Sequence, residues 1–232
     1  MLFVVPTPIG NLEDMTPRAL STLKSADAIY CEDTRRTRAL LSHFGFSKEV
    51  LRYEDRDERG LSRMISRLKG GERLALVSDA GLPGISDPGR AAVFAARKEG
   101  LPTSALPGPS ALTAALAGSG LPADSFVFLG FLPRASGKRK RLLAQAAALG
   151  KTVAVYESPF RALSLLDEAA QVLGPQTPAA AAREISKVYE EWIGGTVAEI
   201  RQTLASRAEI LGEFVFIFCP RKENRHDDDY SA

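Results

Sequence analysis

Ser78-Asp79-Ala80-Gly81-Leu82-Pro83-Gly84-Ile85-Ser86-Asp87-Pro88-Gly89 is the stretch on which the reading of this chain turns. It follows a short apolar run, Leu74–Val77, of the kind that forms a buried strand, and precedes a helical pattern over Ala91–Lys98. Its twelve residues hold three glycines, two prolines and two aspartates. That is long for a strand-to-helix connection, and long loops on rigid scaffolds tend to carry function. Glycine lets backbone approach a ligand closely and proline fixes the path of the loop.

Working outward, the same grammar repeats. Leu2–Val5 reads as a strand and leads into Pro6-Thr7-Pro8-Ile9-Gly10-Asn11-Leu12. Ala28–Cys31 leads into Glu32-Asp33-Thr34-Arg35-Arg36, with Thr34 placed to cap a helix, and Thr103–Leu106 leads into Pro107-Gly108-Pro109-Ser110-Ala111. Helices are expected after Thr16-Pro17, a cap followed by proline in the first turn, and where Leu61, Met64, Ile65 and Leu68 recur at helical spacing. Strands alternating with helices predict a parallel α/β sheet, in which ligands sit at the carboxyl ends of strands. Each loop alone is an ordinary turn; four of them at successive strand ends point to a ligand site.

The pattern changes after Pro107–Ser110 and a small-residue helix that ends near Gly118, which sets domains at 1–112 and 121–222 and a tail at 223–232. In the second half strands are expected at Phe126–Leu129, Thr152–Tyr156, Ala179–Ala182 and Phe214–Cys219, with a helix carrying Leu165, Leu166, Ala169 and Leu173.

Composition excludes several classes. The 30 basic and 28 acidic residues among 232 rule out a uniformly basic surface but leave room for a local patch. Cys31 and Cys219 sit in apolar stretches and read as buried thiols; with only His43 and His226 besides, no zinc ligand set is visible, and no metal is expected. There is no GxxxxGK[ST], and Gly118–Ala123 matches a dinucleotide fingerprint by letters only, since it follows a helix and contains Pro122; this disfavours a nicotinamide oxidoreductase. The N-terminus lacks a basic segment and no run approaches a membrane span, so cytoplasm is the expected compartment and no membrane partner is expected.

Seven segments in order, PTPIGNL (6–12), EDTRRT (32–37), SDAGLPGISDPG (78–89), PGPSA (107–111), GFLPR (130–134), YESPFR (156–161) and REISKVYEE (183–191), resemble the tetrapyrrole-methylase-like superfamily, specifically its ribosomal RNA (cytidine-2′-O)-methyltransferase branch. The resemblance implies two α/β domains, an S-adenosylmethionine cofactor in the cleft between them, and a homodimer. Carried over residue by residue, it places cofactor contacts at Pro8, Ser78, Asp79, Ala80, Ile85, Ser86, Ser110, Ala111 and Tyr156. Two positions depart from its pattern. Tyr53–Glu58 stands where relatives show a His-rich stretch, so no catalysis is assigned there, and Leu82 stands where relatives commonly have Thr.

The resemblance makes 16S ribosomal RNA of the small subunit the expected partner, and the charge pattern agrees. Arg134, Lys138, Arg139, Lys140 and Arg141 fall within eight residues, and no Asp or Glu occurs from Ser125 to Tyr156. Such a run is suited to phosphates; as a helix start it is electrostatically disfavoured. Arg35 is grouped with this RNA-binding set. A ribose hydroxyl needs its proton drawn off as the new bond forms. Candidate polar groups are Asp33, Asp87, Glu157, Glu184 and Lys187, of which Asp33, Glu184 and Lys187 are taken as the catalytic set. For Asp33 a helix cap with an exposed ion pair is an equal alternative, and for Lys187 a surface ion pair. Two other functions stand beside the leading one: a small-molecule methylase acting on a porphyrinoid carbon, and a non-catalytic RNA-binding assembly protein.

Overall fold

The computed structural model describes residues 1–220. His226, the Asp227–Asp229 run and the expected tail lie outside the described residues. The chain divides into two compact units, Met1–Ala111 and a second beginning at Leu112.

The first unit holds β1 (Leu2–Val4), α1 (Pro17–Ser25), β2 (Ala28–Cys31), α2 (Thr34–His43), β3 (Glu49–Arg52), α3 (Glu58–Lys69), β4 (Leu74–Leu76), α4 (Arg90–Lys98) and β5 (Thr103–Ala105), with α5 (Ala111–Gly118) starting at its last residue. The strands form one sheet in the order β3-β2-β4-β1-β5, every pair parallel. Alternate residues serve opposite faces. Phe3, Ile29, Cys31 and Ala75 pack with Ala19, Leu23 and Leu41 of α1 and α2; Leu2, Ala28, Tyr30, Leu74 and Leu76 pack with Met64, Leu68, Ala92 and Ala96 of α3 and α4. Both faces are covered, which is why these strands read as continuous apolar runs. Parallel strands also bring every strand-end loop to one edge.

Caps fix where the helices start. Thr16 accepts from the Ala19 backbone N–H with Pro17 in the first turn. The cap of α2 is Asp33, not Thr34: its carboxylate accepts from the backbone N–H groups of Arg35 and Arg36, and Thr34 is the first helical residue. A carboxylate opposite the N-terminal dipole is the stronger choice of the two neighbours.

The second unit holds β6 (Phe126–Phe131), α6 (Ser136–Ala147), β7 (Thr152–Glu157), a 3-10 turn (Pro159–Arg161), α7 (Ala162–Leu173), β8 (Pro178–Arg183), β9 (Glu191–Thr196), α8 (Val197–Ala205) and β10 (Phe214–Phe218). Its sheet runs β6-β7-β10-β8-β9. β6 and β7 are parallel and the remaining pairs antiparallel. Phe214, Phe216 and Phe218 join the core with residues of α6, α7 and α8, while Val215 and Ile217 are buried on the opposite face. The register sets Tyr156 beside Phe131, Phe214 beside both Glu157 and Arg183, and Arg183 beside Glu191. The segments GFLPR, YESPFR and REISKVYEE therefore all leave the same edge of this sheet.

Cys31 is buried, and burial pushes its thiol up; Cys219 is half-buried rather than buried as the sequence suggested. Among the described residues no helix is long and apolar enough to cross a membrane.

Candidate functional site

At the carboxyl edge of the first sheet the four loops are sewn to one another. The backbones of Thr7 and Gly81 exchange hydrogen bonds of 2.9 and 3.0 Å, and the Thr7 hydroxyl donates to the Ser78 carbonyl at 3.0 Å. The Asp33 N–H donates to Asp79 Oδ1 at 3.2 Å, and Arg36 lies 3.5 Å from Asp79 Oδ2. A Cβ at Gly81 would stand 3.4 Å from Ile9 and 3.7 Å from the Pro109 carbonyl oxygen; at Gly108 it would stand 2.4 Å from Pro6 Cγ. The first and fourth loops thus meet the third at Gly81 and the second loop meets it at Asp79, and glycine at 108 is required by the close approach of the fourth loop to the first.

The far end of the long loop is also pinned. Asp55 Oδ1 accepts from the Gly89 N–H at 2.9 Å and from the Tyr53 hydroxyl at 3.0 Å. The segment that replaces the His-rich stretch therefore buttresses the loop. Between these anchors Ser86 holds φ of 64°, an uncommon conformation for a residue with a side chain. The only other described non-glycine residues with positive φ are Glu184 and Ser186, in the REISKVYEE segment. Strain of this kind persists where surrounding structure enforces it and concentrates at functional sites.

Of the expected cofactor contacts, the structure brings Pro8, Asp79, Ala80, Ser110 and Ala111 to this edge, with Ile85 and Ser86 exposed on the long loop. Ser78 is buried and its hydroxyl donates to the Gly81 carbonyl at 2.9 Å, so it shapes the turn and offers no hydroxyl to a ligand. Beside the edge lies a hollow of about 350 Å³, lined by Pro8, Leu12, Arg36, Leu40, His43 and Asp79. Its size falls in the range of small-molecule sites. Nothing in the spacing of its helix marked His43 for this position. Tyr156 belongs to the second unit, half-buried, its ring 4.9 Å from Phe128 and 5.5 Å from Phe131.

The three residues taken as catalytic all stand in ion pairs. Asp33 caps α2 and pairs with Arg35; hydrogen bonds from the Arg35 side chain and backbone lower its carboxyl to about 2, too acidic for a general base. Burial pushes Lys187 down, but hydrogen bonds to Glu184 (2.9 Å) and Glu213 (3.0 Å) outweigh it, and the ammonium is held above its usual range and charged. Burial pushes Glu184 up, but the Glu213 N–H and Lys187 prevail, holding it low. All three groups are held in their charged forms by these pairs. The carboxyl with the opposite behaviour is Asp87: burial, then the charges of Glu32 and Asp79, push it up to about 6. It was among the polar candidates in the sequence, but nothing in its spacing singled it out.

Among the expected RNA contacts, Arg134, Lys138 and Arg141 are exposed and Lys140 half-buried, as is consistent with a phosphate surface; Arg35 is 88% exposed on its side chain although paired with Asp33. Arg139 is corrected. Only 6% exposed, it makes a two-pronged pair with Glu168 at 2.6 and 2.7 Å and donates to the Arg134 carbonyl at 2.9 Å. It shares the buried stripe of α6 with Leu143 and Ala146, four and seven residues on. Hydrogen bonding to Arg139 holds the Glu168 carboxyl below its usual range. Among the described residues no group of three or more His, Cys, Asp or Glu side chains is arranged to hold a metal.

With this geometry in view, the chain belongs to the tetrapyrrole (corrin/porphyrin) methylase family, whose model matches residues 1–201. Within it, its relatives include proteins named ribosomal RNA small subunit methyltransferase I: that of Hydrogenobaculum sp. is 44% identical over 96% of both chains. That of Halalkalibacterium halodurans is 44% identical over 93% of this chain and 74% of its own. Among solved structures, diphthine synthase superposes with a TM-score of 0.72 at 18% identity, covering 94% of this chain and 89% of its own. Uroporphyrin-III C-methyl transferase from Thermus thermophilus, complexed with S-adenyl homocysteine, does so with a TM-score of 0.62 at 21% identity, covering 94% and 96%. These last two likenesses show the shared fold.

Proposed function

We propose that this chain transfers a methyl group from S-adenosylmethionine to the ribose 2′-hydroxyl of a cytidine in 16S ribosomal RNA of the small subunit, acting in the cytoplasm as a homodimer. The observation that carries the reading is the convergence of four strand-end loops on Asp79 and Gly81, in a chain 44% identical along its length to a ribosomal RNA small subunit methyltransferase I. When bound, the cofactor supplies a methyl group on a sulfonium, which attack by the ribose oxygen transfers.

The residues present fit that group. Glycine at 81 and 108 lets the first, third and fourth loops close on one another, and backbone groups near Ala80, Ser86, Ser110 and Ala111 suit the polar amino-acid and adenine edges. Asp79 supplies negative charge for a cationic donor. Holding both reactants in line lowers the barrier by alignment. The proton of the attacking hydroxyl must leave as the carbon–oxygen bond forms. Asp87 is the carboxyl best matched to receive it, because a base titrating at about 6 is ionised at neutral pH yet still basic. The exposed Arg134, Lys138 and Arg141 hold phosphates.

The test is transfer of labelled methyl from S-adenosylmethionine to small ribosomal subunits lacking the modification, with the methylated ribose mapped. Label at a cytidine 2′-oxygen is expected. Label in a porphyrinoid instead would establish the small-molecule reading, and cofactor binding without transfer to either would establish the assembly-protein reading.

A further inference from the structure

Phe160 is 93% exposed, yet it does not sit on a loose loop. It occupies the 3-10 turn Pro159–Arg161, and the residue after it is fixed from two sides. Arg161 Nε and Nη2 donate to the Glu157 carboxylate at 2.7 and 2.5 Å, and Nη2 also donates to the Leu132 carbonyl at 2.8 Å. Glu157 is only 1% exposed and accepts the Ser158 N–H at 2.8 Å as well. From the other side Arg139, anchored by buried Glu168, holds the Arg134 carbonyl. Two arginines, each matched by a buried glutamate, thus clamp the segment 132–134 and bind the Phe160 turn to it.

A single exposed apolar residue is ordinary on a mobile surface. An aromatic ring held out in water by a buried hydrogen-bond network is a different matter, because the fold fixes its position without covering it. The surroundings say what covers it. The clamped segment leads directly into exposed Arg134, Lys138 and Arg141, while the two glutamates nearby are already paired with arginines. An exposed ring on an anchored turn, with exposed cations on the segment clamped to it, matches a nucleobase with its phosphates, since every base offers a face for stacking and unpaired bases in RNA are commonly recognised this way.

We propose that Phe160 is a stacking platform for an unpaired base of the RNA substrate, positioned by the Arg161–Glu157 pair. This rests on the reading of the chain as an RNA methyltransferase. As a binding contact the ring governs affinity for the substrate and not the chemical step.

The experiment compares wild type, Phe160→Ala and Phe160→Tyr in methyl transfer to small ribosomal subunits, with cofactor affinity by calorimetry and mass by light scattering. Phe160→Ala is expected to raise KM for the subunit about tenfold, the loss of one base–aromatic stack, with kcat within about twofold and cofactor affinity unchanged. Phe160→Tyr, which keeps a ring, is expected to restore KM. A Phe160→Ala enzyme with wild-type KM overturns the proposal while leaving the methyltransferase reading intact. So does a Phe160→Ala chain that dissociates to half its mass, which would assign the ring to contact between copies. A wild type that transfers no methyl group to the subunit overturns both.

Discussion

The two units build their functional edges from different materials. At the edge of the first sheet backbone groups take part in nearly every tie: Thr7 exchanges bonds with Gly81, the N–H groups of Asp33 and Gly89 donate to the carboxylates of Asp79 and Asp55, and Gly108 packs against Pro6. At the edge of the second, charged side chains do the holding: Arg139 with Glu168, Arg161 with Glu157, Lys187 with Glu184 and Glu213. A parallel sheet delivers all its loops to one side by topology, so short glycine-rich bends can meet and leave backbone groups for a small ligand. In the mixed sheet Arg139 and Arg161, each paired with a buried glutamate, fix the segments at the edge and leave other cations outside. The first edge suits a compact donor, the second a charged polymer.

The comparison breaks most severely if Asp87 is inert. Asp87→Asn is expected to lower kcat by about 10²-fold or more, the usual worth of a proton acceptor, and to abolish a wild-type rise of activity through about pH 6. Stability should move the other way. A carboxyl raised above its ordinary value favours the fold fully below about pH 4, and that contribution is lost as pH rises through about 6. Thermal melts should therefore show Asp87→Asn gaining on wild type between pH 4 and 7. Equal kcat in the two would leave the first edge without a proton acceptor.

Next in size, Glu168→Ala should destabilise the second unit by about 3 kcal/mol in urea unfolding, because it strands a buried guanidinium. Lys138→Ala should change stability by less than about 0.5 kcal/mol. Similar losses in both would erase the distinction between clamping and exposed cations. Gly108→Ala is expected to cost about 1–3 kcal/mol, since its Cβ would invade Pro6, and to weaken cofactor binding with it. The smallest effect is the double variant Lys138→Ala, Arg141→Ala: RNA affinity falls and the slope of log affinity against log salt becomes shallower by about 1.5, with cofactor affinity unchanged.

The sequence revealed most where burial is two-sided. Ala28–Cys31 and Phe214–Phe218 are central or inner strands, and their apolar runs are plain. Glu49–Arg52 and Glu191–Thr196 went unread because both are edge strands: the first buries only Val50, and the second carries Gly194 and Gly195. The four loops were legible as residues, but not that Ser78 turns its hydroxyl inward. Arg139 was lost inside a basic run, although its spacing to Leu143 and Ala146 marks the buried stripe of a helix. The partners of the expected catalytic set were only partly legible: Asp33 pairs with Arg35 two positions on, whereas Lys187 also gains Glu213, 26 positions away. Asp87 differs in having its carboxylate neighbours brought to it by the same fold.

The claim beneath all of this is that the bends following β1, β2, β4 and β5 form one seat for the methyl donor. Amide chemical-shift mapping of the isotope-labelled protein during titration with S-adenosylhomocysteine tests it directly. The largest shifts are expected at 79–81, 85–86 and 110–111, with little change along α3 and α8. Saturable binding that leaves those amides unmoved would contradict it.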